Sequence, residues 1–297
     1  MGKASADASP AARDVFKRAD AALGEPLSRL CFDGPLEELT LTRNTQPALL
    51  ATSCAITAAL IDRFPQVEPP VCAAGHSLGE YSALVASGAL DLEEAVRLCR
   101  IRGEVMQSAV PEGLGGMAAI MGLDQDAVAA VCAEAAGDEV VSPANYNAPG
   151  QIVIAGHVGA VGRATALAGT RGGKSVTLKV SAPFHCALMG PAAEQLALEL
   201  ERVSIRALAF PVIANIDASL NTDPDRVRGL LVRQIDGPVQ WVRTIQRMAE
   251  EGVTHALEIG PGKVLAGLAK RIAKQITVLG VSDMAGIERA GALLSEG

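Results

Sequence analysis

Between Gly116 and Val180 the hydrophobic pattern alternates between strand and helix periodicity, and this alternation most narrows what the chain can fold into. GMAAIMG, VVSPANY, QIVIAG and SVTLKV read as strands, and 124–136 and 158–171 read as helices. The order is βαββαβ, that of a ferredoxin-like unit. Around it, helical patterns cover about 10–23, 46–63, 78–87, 91–107, 187–201, 224–235, 239–251 and 263–273. β-rich runs lie between them at 71–75, 211–215, 255–260 and 276–281. This predicts an α/β protein with a mostly parallel sheet in a discontinuous body, 1–115 and 181–297, and a small inserted subdomain, 116–180. A cleft between the two is the expected ligand site.

Composition removes several classes. At 297 residues and 49% hydrophobic content the chain can bury a substantial core. A net charge of −7 without basic runs argues against a nucleic-acid surface, which needs clustered cations. The longest apolar stretch, Leu49 to Ile61, is broken by Thr52, Ser53 and Thr57 and is too short to span a bilayer. MGKASADASP has no apolar run of the signal-peptide kind, and Ala6 stands where a myristoylation signal needs Ser or Thr. The expected compartment is the cytoplasm. The six cysteines are scattered without a C-x-x-C pair, so they read as reduced, buried thiols and not as metal ligands.

Chemistry enters at Gly75-His76-Ser77-Leu78-Gly79, a G-x-S-x-G with a strand-like run before it and a helical pattern after it. Flanking glycines permit a sharp bend that lifts the serine off the sheet. The N–H of Leu78 and the helix N-terminus then face the negative charge that develops in acyl transfer. Serine needs a base, so one of four histidines should serve it. His76 is adjacent and reads as structural or site-lining, and His157 as a surface or capping residue. His185, in SAPFHCALMG, and His255, in THALEIG, both remain. His255 would complete a hydrolase order of serine, acid, histidine with Asp217, Asp223 or Asp236 as the acid.

A second constraint lies in 91–107, where Asp91 and Glu94 have capping-box spacing. Ala95, Leu98, Cys99, Val105 and Met106 fall on one side of this helix, and Arg102 falls in the middle of their stripe. Arg97 and Arg100 fall on the other side, with Glu93 available to Arg97. A buried guanidinium needs a partner: a protein carboxylate, or the carboxylate of a substrate.

GHSLGEYSAL, RGEVMQ, AVPEGLGGMAAIMGL, NYNAPGQIVIAG, APFHCALM, LLVRQIDGPVQW and EIGPGKVLAGLAKRI occur in order over nearly the whole chain. Together they resemble the malonyl-CoA:acyl carrier protein transacylases of type II fatty acid synthesis. The resemblance implies an α/β-hydrolase-like body with a ferredoxin-like insert. It implies Ser77 as the acylated serine, His185 as the base and Leu78 as an oxyanion donor. Arg102 is the implied clamp on the malonyl carboxylate, and Gln234 orients the histidine through its backbone carbonyl. His76, Met106 and Phe184 complete the expected substrate-binding set. Malonyl-CoA is then a substrate, holo acyl carrier protein the partner, and the protein a monomer with no metal or redox cofactor.

One departure accompanies the resemblance. The family starts with a strand and a G-Q-G-S-Q loop that supplies a second oxyanion donor, and MGKASADASPAARDVF resembles the sequence just after that loop. The expectation is therefore a shortened first segment and one donor fewer. The other readings are a carrier-binding module that never acylates Ser77 and a serine hydrolase using Ser77 with His255.

Overall fold

A computed structural model describes residues 1–180 and 182–295. The chain opens on five helices: α1 (Lys3–Ala8), α2 (Pro10–Leu23), α3 (Leu27–Asp33), α4 (Leu36–Thr40) and α5 (Thr42–Arg63). Ser9 caps α2 by accepting from the Ala12 N–H, with Pro10 in the first turn, where a missing N–H costs nothing. The short helices α1, α3 and α4 escape periodicity because each spans two turns or fewer. Packing holds them instead, through Ala6, Leu27, Cys31 and Leu39.

Helix α5 starts four residues before the predicted boundary. Pro47 suggests a first turn, but the turn carrying Asn44 and Gln46 precedes it and is buried. This helix crosses α7 (Leu92–Ser108) closely, since a Cβ on Gly103 would lie 2.6 Å from the Arg43 Cα. Between them in sequence comes α6 (Gly79–Ala86).

The middle segment forms β1 (Gly115–Met121), α8 (Gln125–Ala136), β2 (Val141–Ala148), β3 (Gln151–His157), α9 (Val158–Thr170) and β4 (Lys174–Thr177). Its antiparallel sheet has the order β2-β3-β1-β4. Strand alternation sorts its residues into two faces. Ala118, Ile120, Ile152 and Ile154 pack under α8 and α9. Met117, Val153 and Ala155 pack against Cys186 and Phe184, the segment that carries His185. Backbone bonds then tie β2 to the rest of the chain, from the Tyr146 N–H to the Val239 carbonyl and from the Val239 N–H to the Ala144 carbonyl, both at 2.9 Å.

The remaining elements are α10 (Gly190–Glu201), β5 (Val212–Ile213), β6 (Leu220–Asn221), α11 (Pro224–Asp236), α12 (Trp241–Glu250), β7 (His255–Ile259), α13 (Val264–Ile272), β8 (Thr277–Val281) and α14 (Met284–Ser295). The fold is mixed α/β, but the expected mostly parallel sheet needs correction. Among the described residues, parallel pairing is limited to β7 with β8 and to isolated bridges at Ala73–Val212 and Asn145–Val239. The run at 71–75 pairs only through Ala73, which donates to the Pro211 carbonyl and accepts from the Ile213 N–H. Pro69, Pro70 and Pro211 have no N–H to extend that ladder, and Gly75 already turns into the serine loop.

Candidate active site

The bend at Ser77 rests on one glycine. A Cβ on Gly75 would sit 2.0 Å from the Gly79 carbonyl carbon, whereas one on Gly79 would meet nothing within 4 Å. Ser77 itself adopts φ 50°, a left-handed conformation that only a well-held turn sustains. Gly75→Ala is therefore expected to cost about 3 kcal/mol of stability, as overpacking against backbone does, and Gly79→Ala to be neutral or stabilising. Urea midpoints of the two variants check this, and equal shifts would contradict it.

The turn points the serine at His185, whose Nε2 lies 2.8 Å from the Ser77 Oγ. His185 Nδ1 lies 2.8 Å from the Gln234 carbonyl oxygen. A carbonyl only accepts, so Nδ1 carries the proton and Nε2 is left to accept from the serine. His185 also has a positive φ, 61°, in a segment wedged by Pro183, whose ring would collide with a Cβ on Gly115. Burial, and then the nearby Arg102 charge, hold the imidazole down to about 3, partly offset by the bond to Gln234. The imidazole is therefore neutral at pH 7. Cys186 next door donates to the Pro183 carbonyl, and burial pushes its thiol up to about 11, so it offers no competing thiolate.

Arg102 is only 2% exposed. One Nη donates to Gln46 Oε1 at 2.6 Å; the other reaches Gln234 Oε1 at 2.9 Å and the Ser77 Oγ at 3.0 Å. Its guanidinium carbon stands 5.5 Å from the Tyr81 ring centroid. Its Nε is buried without a partner, and no carboxylate lies in ion-pair range of it among the described residues. Of the two partners that the sequence left open, a protein carboxylate is therefore removed. Elsewhere on α7, Glu93 pairs with Arg18 of α2 at 2.7 Å instead of with Arg97, because a bidentate tertiary contact is available. The Asp91 cap accepts from the Glu93 N–H, without a return bond from Glu94.

Three residues of this cluster went unread in the sequence. Gln46 holds the guanidinium. Asn215 Oδ1 accepts from the Ser77 N–H at 2.6 Å, and its Nδ2 donates to the Gly75 carbonyl at 2.7 Å. Glu80, 3% exposed, accepts through Oε2 from the Asn215 N–H at 3.0 Å and from Gln234 Nε2 at 2.7 Å. Burial pushes the Glu80 carboxyl up to about 7 against those two hydrogen bonds. The sequence signals were faint: an amide ending the apolar run PVIAN, and an acid in the first turn of a buried helix.

The other predicted residues fall into two groups. Leu78 is the N-cap residue just before α6, and its N–H has no protein acceptor among the described residues, as an oxyanion donor requires. Phe184, half-buried, lines a cleft of about 320 Å³ with Leu41, Thr42, Gln107 and Val180. Met106, however, is buried with its Sδ 3.9 Å from Gln46 Nε2, so it backs the arginine's partner. His76 packs against Trp241 at 5.5 Å and lies 2.8 Å from Asn147 Oδ1, joining the turn to β2. Burial lowers its pKa, with the Asn147 bond opposing that shift. His157 accepts from the Val140 N–H at 2.9 Å instead of capping α9. His255 is exposed, with its Nδ1 3.1 Å from its neighbour's Thr254 Oγ1, and Ser77 pairs with His185, so the Ser77–His255 hydrolase arrangement is not formed.

Comparison with known proteins gives the family. The acyl transferase domain family matches residues 1–294. Malonyl CoA-acyl carrier protein transacylase of Haemophilus influenzae is 50% identical over 93% of this chain and 88% of its own length. Its Escherichia coli K12 counterpart is 49% identical over 92% and 88%. An acyl carrier protein S-malonyltransferase from Vibrio cholerae superposes with TM-score 0.95 at 45% identity, covering 98% of this chain and 94% of that one. A malonyl-transacylase in complex with its type II PKS acyl-carrier protein gives 0.95 at 44%, covering 100% and 95%. With a serine, a histidine and a buried arginine meeting at one turn, and likeness along nearly the whole chain, this protein belongs to the acyl transferase domain family, among the malonyl CoA-acyl carrier protein transacylases.

Proposed function

We propose that this enzyme transfers malonyl from malonyl-CoA to the phosphopantetheine thiol of holo acyl carrier protein through a malonyl-serine at Ser77. The observation that carries the reading is Arg102, a buried cation with no carboxylate partner among the described residues, 3.0 Å from the serine hydroxyl. Ser77 Oγ attacks the thioester carbonyl while His185 Nε2 takes its proton. The Leu78 N–H and the start of α6 stabilise the oxyanion, and Arg102 holds the substrate carboxylate. Coenzyme A leaves with the proton from His185. The carrier thiol then gives its proton to His185 and attacks the malonyl-serine; the proton returns to Ser77 Oγ as that bond breaks. Every group used is a side chain or amide of one chain, so a monomer suffices and no metal or redox group enters a step.

The cleft beside Phe184 is the proposed route for the pantetheine arm. The βαββαβ order supports reading 116–180 as a ferredoxin-like subdomain inserted into an α/β-hydrolase-like body of 1–115 and 181–297. The free state of all six cysteines, together with the absence among described helices of one long and apolar enough to cross a membrane, suits the cytoplasmic reading.

Intact-protein mass tests the function directly. Malonyl-CoA is expected to add one malonyl group to the wild type and none to Ser77→Ala, and holo carrier protein to remove it. Carrier binding by folded protein without any adduct would replace this reading with that of a binding module.

A further inference from the structure

The proposed steps use Ser77, His185 and Arg102, and leave a buried carboxyl, Glu80, without a task. The small cavity beside it is mainly apolar, lined by Leu84, Val212, Ala214, Val227 and Leu230, with Asn221. A carboxyl in such a place is costly unless its hydrogen bonds matter. Both partners of its Oε2 are amide residues that themselves hold the reacting groups.

The reach of those two amides is wide. Asn215 takes the Ser77 N–H and the Gly75 carbonyl. Gln234 is 0% exposed and uses all its polar atoms but the backbone N–H on the site. Its Nε2 donates to the Ser77 carbonyl at 3.0 Å, its Oε1 accepts from Arg102, and its backbone oxygen accepts from His185. The strained serine is thus held at both ends of its own peptide unit. One carboxyl oxygen holds both holders.

We propose that Glu80 is the positioning residue of this site, its carboxyl oxygen fixing Asn215 and Gln234 so that the serine turn, the histidine's anchor and the guanidinium keep one register. The inference rests on the assignment of Ser77 as nucleophile and His185 as base. Catalysis of this kind depends on sub-ångström placement, so loss of the anchor acts on the rate of the chemical step more than on substrate binding. What the two donors require is an acceptor at the position of Oε2. Glutamine can supply it with its carbonyl oxygen. Aspartate keeps the charge but withdraws the oxygen by one methylene.

The test compares Glu80→Gln, Glu80→Asp and Glu80→Ala in single-turnover acylation by malonyl-CoA, read by quench and intact mass, with thermal melts as the fold control. The Gln variant is expected to keep its maximal rate within about fivefold of wild type. The Asp variant should fall at least tenfold below the Gln variant, with the half-saturating concentration changed less than about threefold. The Ala variant should follow Asp where it folds. The His185 Nδ1 proton, bonded to the Gln234 carbonyl, gives a downfield NMR resonance expected to persist in Gln and to shift or vanish in Asp.

A gap smaller than tenfold between Asp and Gln, or a loss confined to half-saturation, overturns the proposal. So does an Asp variant that fails to fold where Gln folds, which would assign Glu80 to stability alone. If the wild type itself is never acylated, the functional reading fails, and the resonance still decides whether Glu80 orders the histidine.

Discussion

His185→Ala is expected to slow acylation of Ser77 roughly 10⁴-fold, because a serine without its base retains only the oxyanion donors and binding. His255→Ala should leave the rate unchanged, since that imidazole is exposed and bonded to its own neighbour. The pH dependence follows from the buried position of His185. Burial, and then the Arg102 charge, lower its pKa to about 3, so the imidazole stays neutral as pH falls from 8 through 5. An ordinary histidine would be half protonated near 6.5 and lose its basicity there. Phosphonylation of Ser77 by an uncharged serine-directed reagent, which does not itself titrate, should therefore run level from pH 8 to pH 5 and decline only below that. A midpoint near 6.5 in the wild type would contradict the assignment. In Arg102→Ala the second of the three lowering causes, after burial and ahead of the His76 charge, is gone, and the decline should move to higher pH.

Arg102→Ala is expected to reduce malonyl transfer roughly a hundredfold or more, the cost of removing one member of a buried hydrogen-bonded charge pair. Acetyl transfer, which has no carboxylate to hold, should be spared or rise. The measurement is the ratio of kcat/KM for the two acyl-CoA substrates in wild type and variant. Equal falls would mean that Arg102 supports the site without reading the acyl group. Arg102→Lys should not restore the ratio, because a point charge cannot replace a planar fork held by Gln46 and Gln234. The clamp also bears on the base. A carboxylate on the guanidinium offsets the charge that suppresses His185, so the acidic substrate strengthens the base that activates the serine against it.

The serine was legible because its signal is local: one tight turn, with a glycine at the single place where the backbone crosses itself and a helix immediately after. Arg102 was legible for a similar reason, since 3.6-residue periodicity puts a cation among apolar residues whatever the helix packs against. The middle βαββαβ order was read nearly to its boundaries, because strands under two helices sort their apolar side chains within short segments. Where pairing depends on distant partners the reading failed, and among the described residues the expected parallel sheet shrank to one strand pair and two bridges, with prolines removing donors at 69, 70 and 211.

The histidine could not be chosen from spacing, because His185 and His255 both suit a serine in the abstract. Folding decided it by bringing a residue 108 positions away to 2.8 Å from the serine and leaving the other on the surface. Glu80, Gln46 and Asn215 belong to the same class, their partners lying 135, 56 and 138 positions away. By itself, then, the sequence determined the serine's turn, the buried cation and the βαββαβ order of the middle segment, all of which follow from backbone and periodicity rules within one or two turns of chain. Only the tertiary structure decided which histidine, which amides and which carboxyl converge on that turn, because hydrogen bonds between remote side chains form only when packing has brought their backbones to bonding distance.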